Sequence, residues 1–121
     1  MAPDPRVIID DPPSMSLLGL LLGNIIERQA TRPETQRRLE KLKGALVVEA
    51  GTMTITMQFA DGKVTILRGA ADRARARVRG SMDALLNISL GKGMVGPWLS
   101  GRIKTKGSLL MLLRVLPLMR A

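Results

Sequence analysis

Basic side chains at alternating positions are the residues of this chain whose spacing could do chemistry. Alternate residues of a strand share one face of a sheet, so two such runs would build cationic faces. Residues 63–121 carry twelve Lys and Arg against two Asp and Glu. A solvated face is the simplest interpretation, but neighbouring like charges repel and would favour an anionic headgroup, membrane, protein or nucleic acid. The cations are Arg73, Arg75, Arg77 and Arg79, then Arg102, Lys104 and Lys106.

Catalytic constellations are not visible in the sequence. The chain has no His and no Cys, which excludes imidazole dyads, thiolate nucleophiles and most zinc sites. Residues 91–96 spell G-x-G-x-x-G, but they run into Pro97, and no acidic residue follows Asp83. A dinucleotide site would need a helix after the loop and an acidic residue about 20 positions later. We therefore predict no enzyme activity, no cofactor and no metal site.

The elements that must position the basic residues alternate in type along the chain. Period-two patterns predict strands over 45–50, 52–59, 63–68, 73–79 and 101–106. Apolar or capped segments predict helices over about 14–31, 34–42, 84–90 and 108–116. Strands with one polar face predict an α+β fold, in which the helices pack on the other face.

The ends of the chain bear on its domain organisation and compartment. Residues 1–13 contain four Pro and three Asp and predict a flexible tail, whereas residues 14–121 form a single domain. The tail lacks the basic start of a signal peptide, and the apolar runs are shorter than the ~20 residues of a membrane span. Because the C-terminus is not a peroxisomal signal, we expect a cytoplasmic protein with at most peripheral membrane contact. Gly19 and Gly23 predict close helix packing rather than membrane dimerisation.

The clearest strand also provides the best candidate for an apolar site. Met53, Ile55, Met57 and Phe59 share one face of residues 52–59, and Thr and Gln occupy the other. Methionine adapts its shape to varied apolar ligands. Small inward residues such as Ala76 could leave room for one.

Four segments, taken in order, form a recognisable pattern. Residues 54–57 (TITM) and 59–64 (FADGKV) predict a hairpin, residues 78–86 (VRGSMDALL) predict a strand entering a helix, and residues 99–107 (LSGRIKTKG) predict a last strand before a leucine-rich helix. In this order the segments resemble the central hairpin, the strand-to-helix segment and the last strand of the sterol carrier protein two family of non-specific lipid-transfer proteins. The resemblance covers about residues 16–116.

The resemblance implies a mostly antiparallel five-stranded sheet of order 3-2-1-4-5, with helices on one face and an apolar tunnel between the layers. Such domains bind sterols, fatty acids, acyl-CoA or phospholipids without catalysis, and bacterial ones present prenylated quinone precursors to enzymes. On this basis we predict lipid contacts from Met53, Ile55, Met57, Phe59, Leu85, Leu86, Ile88, Met94, Trp98, Leu109, Leu112, Leu113 and Leu116.

Two other functions remain open at this stage. The apolar helices could bury against an enzyme partner or a second copy of the chain, which would make the domain an interaction module or homodimer. The basic face could bind nucleic acid, but proteins that bind single strands stack bases on aromatic rings. The only aromatic residues of the chain are Phe59 and Trp98, so nucleic acid is the less favoured partner.

Overall fold

The computed structural model describes residues 7–81, 83, 103–115 and 118. The predicted helix over residues 84–90 and the loop after it lie outside this part. Within the described ranges, six strands, three α-helices and a 3-10 turn follow one another. They are β1 (Val7–Ile9), the 3-10 turn (Pro12–Ser14), α1 (Leu17–Gln29), α2 (Pro33–Glu40), β2 (Gly44–Ala50), β3 (Met53–Ala60), β4 (Lys63–Arg68), β5 (Ala76–Gly80), β6 (Ile103–Gly107) and α3 (Leu109–Val115).

The strands form one open sheet with the order β1-β4-β3-β2-β5-β6. β2 with β3, β3 with β4, and β5 with β6 pair antiparallel, whereas β2 pairs parallel with β5. This confirms the α+β class and the order implied by the family resemblance for five strands. Asp61 and Gly62 both have positive φ in the β3–β4 turn, as a two-residue type I′ hairpin requires.

The sixth strand corrects the expected strand count. β1 lies at the sheet edge, parallel to β4, and the backbone N–H of Asp10 donates to the carbonyl of Ile66 at 2.9 Å. It comes from the segment predicted as a tail, where prolines and aspartates surround the short apolar run Val7–Ile9. That run forms a strand because α1 and β4 together bury part of it. The limits of the domain stay a prediction.

α1 and α3 begin after a capping serine, α2 begins at Pro33 without a side-chain cap, and the helices pack on one side of the sheet. The Ser16 hydroxyl accepts from the N–H of Gly19 at 3.3 Å, and the Ser108 hydroxyl accepts from the N–H of Met111 at 3.2 Å. α1 contacts β1, β3 and β4, α2 contacts β3 and β4, and α3 contacts β5. A Cβ at Gly23 would lie 2.9 Å from the Ile9 side chain. This supports close packing on the sheet as the role of the glycine pair.

Alternation gives the sheet two different faces. The helices cover the inner face, and side chains from this face and from the helices form one apolar cluster. The outer face carries the opposite set of side chains, including Thr56 and Gln58. Inner-face members are Leu46, Val48, Ala50, Ile55, Met57, Phe59, Val64, Ile66, Ala76 and Ile103, and the helices and the segment after α3 contribute Leu18, Leu22, Ile26, Leu39, Met111, Leu112, Val115 and Leu118.

A crossover loop, residues 69–75, runs over the outer face between β4 and β5. The Thr56 hydroxyl donates to the carbonyl of Gly69 at 2.8 Å and accepts from the N–H of Ala71 at 2.9 Å. The carbonyl of Ala71 also accepts from Arg77 at 3.3 Å. Val47 lies between Thr56 and Arg77 in the sheet register and is fully buried. The loop therefore buries the middle of a face that would otherwise be open.

Candidate functional site

The inner face of β3 holds four of the predicted ligand residues together. Ile55, Met57 and Phe59 are buried in the apolar cluster, and Met53 is partly buried against it. They share a face because side chains of a strand alternate, and the neighbours of Met57 in the sheet register, Leu46 and Ile66, are apolar as well.

Methionines occur at several points of the same cluster. Met15 precedes α1, Met57 lies on β3, and Met111 lies on α3, and all three are buried. An unbranched thioether can rearrange at little energetic expense, so a layer that contains several of them can adapt to an inserted apolar molecule. No buried side-chain nitrogen or oxygen of the described residues lacks a hydrogen-bond partner.

The predicted ligand residues of α3 lie on two different sides of the helix, one buried and one exposed. Leu112 is 7% exposed and belongs to the apolar cluster, whereas Leu109 and Leu113 are 56% and 67% exposed. Leu110 is also 56% exposed. The structure thus brings Leu112 together with the β3 residues but turns Leu109 and Leu113 away from them.

The remaining predicted ligand residues lie outside the described part of the chain. They are Leu85, Leu86, Ile88, Met94, Trp98 and Leu116.

The basic residues gather on the outer face of β5 and β6. Arg77 is opposite Lys106, and Arg79 is opposite Lys104 in the antiparallel register. With Glu49 and Val78 they line an open cleft of about 350 Å³. Within the cleft, Arg79 Nε lies 3.6 Å from a carboxylate oxygen of Glu49 and forms an ion pair with it.

The predicted basic strand starts later than its alternating arginines suggest. β5 begins at Ala76, so Arg73 and Arg75 precede it and do not belong to the same strand face. Arg75 is held elsewhere, because its Nη1 donates to the carbonyl of Lys43 at 2.7 Å and its side chain passes over Gly44. Arg102 lies outside the described residues.

The basic cleft and the apolar cluster lie on opposite faces of the sheet, whereas the sequence suggested that the basic residues could hold the headgroup of the apolar ligand. Arg77 and Arg79 point away from the helices, and the sheet stands between them and the apolar cluster. These cations therefore lie on the opposite side of the sheet from Met57.

Sequence reasoning missed two components of this face. Glu49 carries the opposite charge within the cleft, and period-two alternation in residues 45–50 would have placed it on the polar side. The crossover loop was also missed, since only the three-dimensional path of the chain brings Ala71 over Thr56. Among the described residues, no group of three His, Cys, Asp or Glu could hold a metal ion.

Comparison with known proteins gives one family match. The sequence matches the SCP-2 sterol transfer family over residues 23–120. No curated protein has a sequence that matches significantly. None of the helices in the described ranges is long and apolar enough to cross a membrane.

Several solved structures are similar in fold. A structure titled "UbiJ-SCP2 Ubiquinone synthesis protein" has a TM-score of 0.69 at 17% identity and covers 98% of this chain and 93% of that one. The sterol carrier protein domain 2 of Helicoverpa armigera has a TM-score of 0.64 at 15% identity, with 91% and 90% covered. The alkylsulfatase Pisa1 from Pseudomonas sp. also matches, with a TM-score of 0.64 at 17% identity, over 71% of this chain but only 14% of that enzyme.

Proposed function

We propose that this chain, which belongs to the SCP-2 sterol transfer family because the family match spans most of its length, carries one apolar ligand. The ligand lies between the inner face of the sheet and the helices. Domains of this family bind and transfer lipids. Domains of this family are generally non-catalytic, although the matching alkylsulfatase is an enzyme. We infer that this chain works by binding alone.

The observation that carries the proposal is the continuous apolar layer on the inner face. Its buried members come from strands on both sides of β2 and from the three described helices. Burying a ligand methylene there is worth about 0.8 kcal/mol, so a long chain can bind without polar contacts. Association and ordering oppose part of this gain. Such a site discriminates weakly between chain lengths, so we expect broad specificity.

The route into this layer runs along α3. Its inner side packs through Met111, Leu112 and Val115, while three leucines on its other side are exposed. Exposed leucines at a short helix are unfavourable in water and favourable against a lipid surface or a departing ligand. In the proposed mechanism, α3 moves away from β5 and the ligand passes between them. The leucines Leu109, Leu110 and Leu113 then keep its path apolar.

The class of ligand is an extended or polycyclic lipid. The similar structure titled as a ubiquinone synthesis protein makes prenylated quinone precursors the first compounds to test. Sterols, fatty acids, acyl-CoA and phospholipids are the other candidates, since the proposed site selects mainly for apolar surface.

Native mass spectrometry of freshly purified protein, with solvent extraction of the same sample, tests this function. We expect one lipid or prenylated compound per chain, or stoichiometric uptake of such a compound when it is added to stripped protein. The variant Arg77→Gln with Lys104→Gln should bind it equally well, because both residues lie on the outer face. Failure of every lipid class to bind would overturn the carrier function and leave an interaction module as the alternative.

A further inference from the structure

Four cationic side chains lie close together in the outer-face cleft. Arg77 and Lys106 face each other on neighbouring strands, as do Arg79 and Lys104. Opposed residues of a strand pair have Cβ atoms about 5 Å apart, where like charges repel. Glu49 is the only acidic lining residue among those described, and it forms an ion pair with Arg79. The cleft therefore keeps an excess of positive charge.

The shape of this region favours a discrete ligand. The four cations, with Glu49 and Val78, line an open cleft of about 350 Å³, a volume within the size range of small-molecule sites. Arg77 is also fixed in direction, because it donates to the carbonyl of Ala71 in the crossover loop at 3.3 Å. A guanidinium held in this way retains further N–H donors for an anion with several oxygens.

We propose that this cleft binds a phosphate-bearing group, with Arg77 and Arg79 donating to its oxygens and Lys104 and Lys106 compensating its charge. Guanidinium and ammonium groups form strong charge-assisted hydrogen bonds with phosphate. The group can belong to a soluble phosphorylated molecule or to the headgroup of a lipid. Because the sheet separates the cleft from the inner face, the site does not depend on the ligand proposed there.

Inorganic pyrophosphate is a suitable probe, since it presents the proposed chemistry without a lipid chain. Titration at low ionic strength, followed by amide NMR and calorimetry, should give saturable one-to-one binding. The largest shifts should fall on residues 77–79 and 104–106. Absence of saturable binding, or shifts centred elsewhere, would overturn the proposal.

Two double variants that lose the same net charge distinguish a specific pyrophosphate site from non-specific electrostatic attraction. Arg77→Gln with Lys104→Gln should weaken pyrophosphate binding by about tenfold or more, as expected for lost hydrogen bonds to charged groups. Arg37→Gln with Arg38→Gln alters exposed residues of α2, on the other side of the sheet, and should change affinity less than about twofold. Equal losses in both variants would contradict a specific cleft.

A third variant tests the site by a gain of affinity. Glu49→Gln removes the carboxylate beside Arg79, and pyrophosphate should then bind about two- to fivefold more tightly. This outcome does not depend on the stability of variants that lose cations. Unchanged or weaker binding would show that the anion does not sit beside Glu49.

Vesicles containing phosphatidic acid distinguish the two sources of phosphate. If pyrophosphate binds and displaces the protein from these vesicles, the site accepts a lipid headgroup. If pyrophosphate binds and the vesicles do not, a soluble ligand is its source. Vesicle binding that pyrophosphate neither mimics nor displaces would overturn the cleft as a phosphate site and indicate a flat membrane-docking face.

Discussion

The two faces of the sheet are built from the same strands but offer opposite chemistry. On β3, Met57 enters the apolar cluster, while Thr56, the adjacent residue, bonds to the crossover loop on the other side. On β5, Val78 packs against the cluster, while Arg77 and Arg79 line the basic cleft. One strand thus serves two regions because its side chains alternate. A single layer of backbone separates the apolar cluster from the basic cleft.

The difference between the faces is tested most strongly by placing a carboxylate on each. Ile66→Asp buries a charge in the apolar cluster, where Ile66 is fully buried, and should lower the free energy of unfolding by more than about 4 kcal/mol. Thr65→Asp puts the same group on the outer face of the same strand and should cost about 1 kcal/mol. Urea unfolding followed by circular dichroism measures both. Similar losses would mean that the faces are not distinct.

α3 allows the same comparison within one helix. Leu112→Ala should lower the free energy of unfolding by about 3 kcal/mol, because Leu112 is in the cluster. Leu113→Ala should lower it by less than about 0.5 kcal/mol, since Leu113 is 67% exposed. Leu113→Ala should nevertheless slow lipid transfer between vesicles if the exposed leucines contact lipid. An unchanged transfer rate would remove α3 from the proposed route.

The crossover loop gives the smallest of the three effects. Thr56→Val removes both hydrogen bonds between β3 and the loop and should lower the free energy of unfolding by about 2 kcal/mol. Thr54→Val, on the same face of the same strand, should lower it by less than about 0.5 kcal/mol. Hydrogen exchange at the Ala71 amide should speed up only in the first variant. Equal exchange in both would show that other contacts hold the loop.

Much of this arrangement could be predicted because it depends on alternation and on turn chemistry. The faces of β3 and β4 follow from the period of two, and the turn between them follows from Asp61-Gly62. The order of five strands came from the family resemblance. The ligand residues on the inner face of β3 share a face as predicted, whereas contact with a ligand stays a prediction.

The parts that sequence reasoning did not predict correctly depend on contacts between distant segments. β1 is too short to be recognised in a sequence rich in proline. It forms a strand because it pairs with β4 and packs against α1. Alternating arginines continue before β5, so the pattern could not show that Arg75 instead bonds to the carbonyl of Lys43. Helical periodicity predicted α3 but did not separate Leu112 from Leu113, because the helix is apolar on both sides.

The central claim is that the apolar ligand lies on the inner face, and methyl NMR with a spin-labelled fatty acid tests it most directly. The ε-methyl groups of Met57 and Met111 report on the inner face, and the methyl groups of Leu67 report on the outer face of β4. We predict that the bound label broadens the two methionine signals much more strongly than those of Leu67. Stronger broadening of Leu67 than of the methionines would place the ligand on the outer face of the sheet and contradict the account.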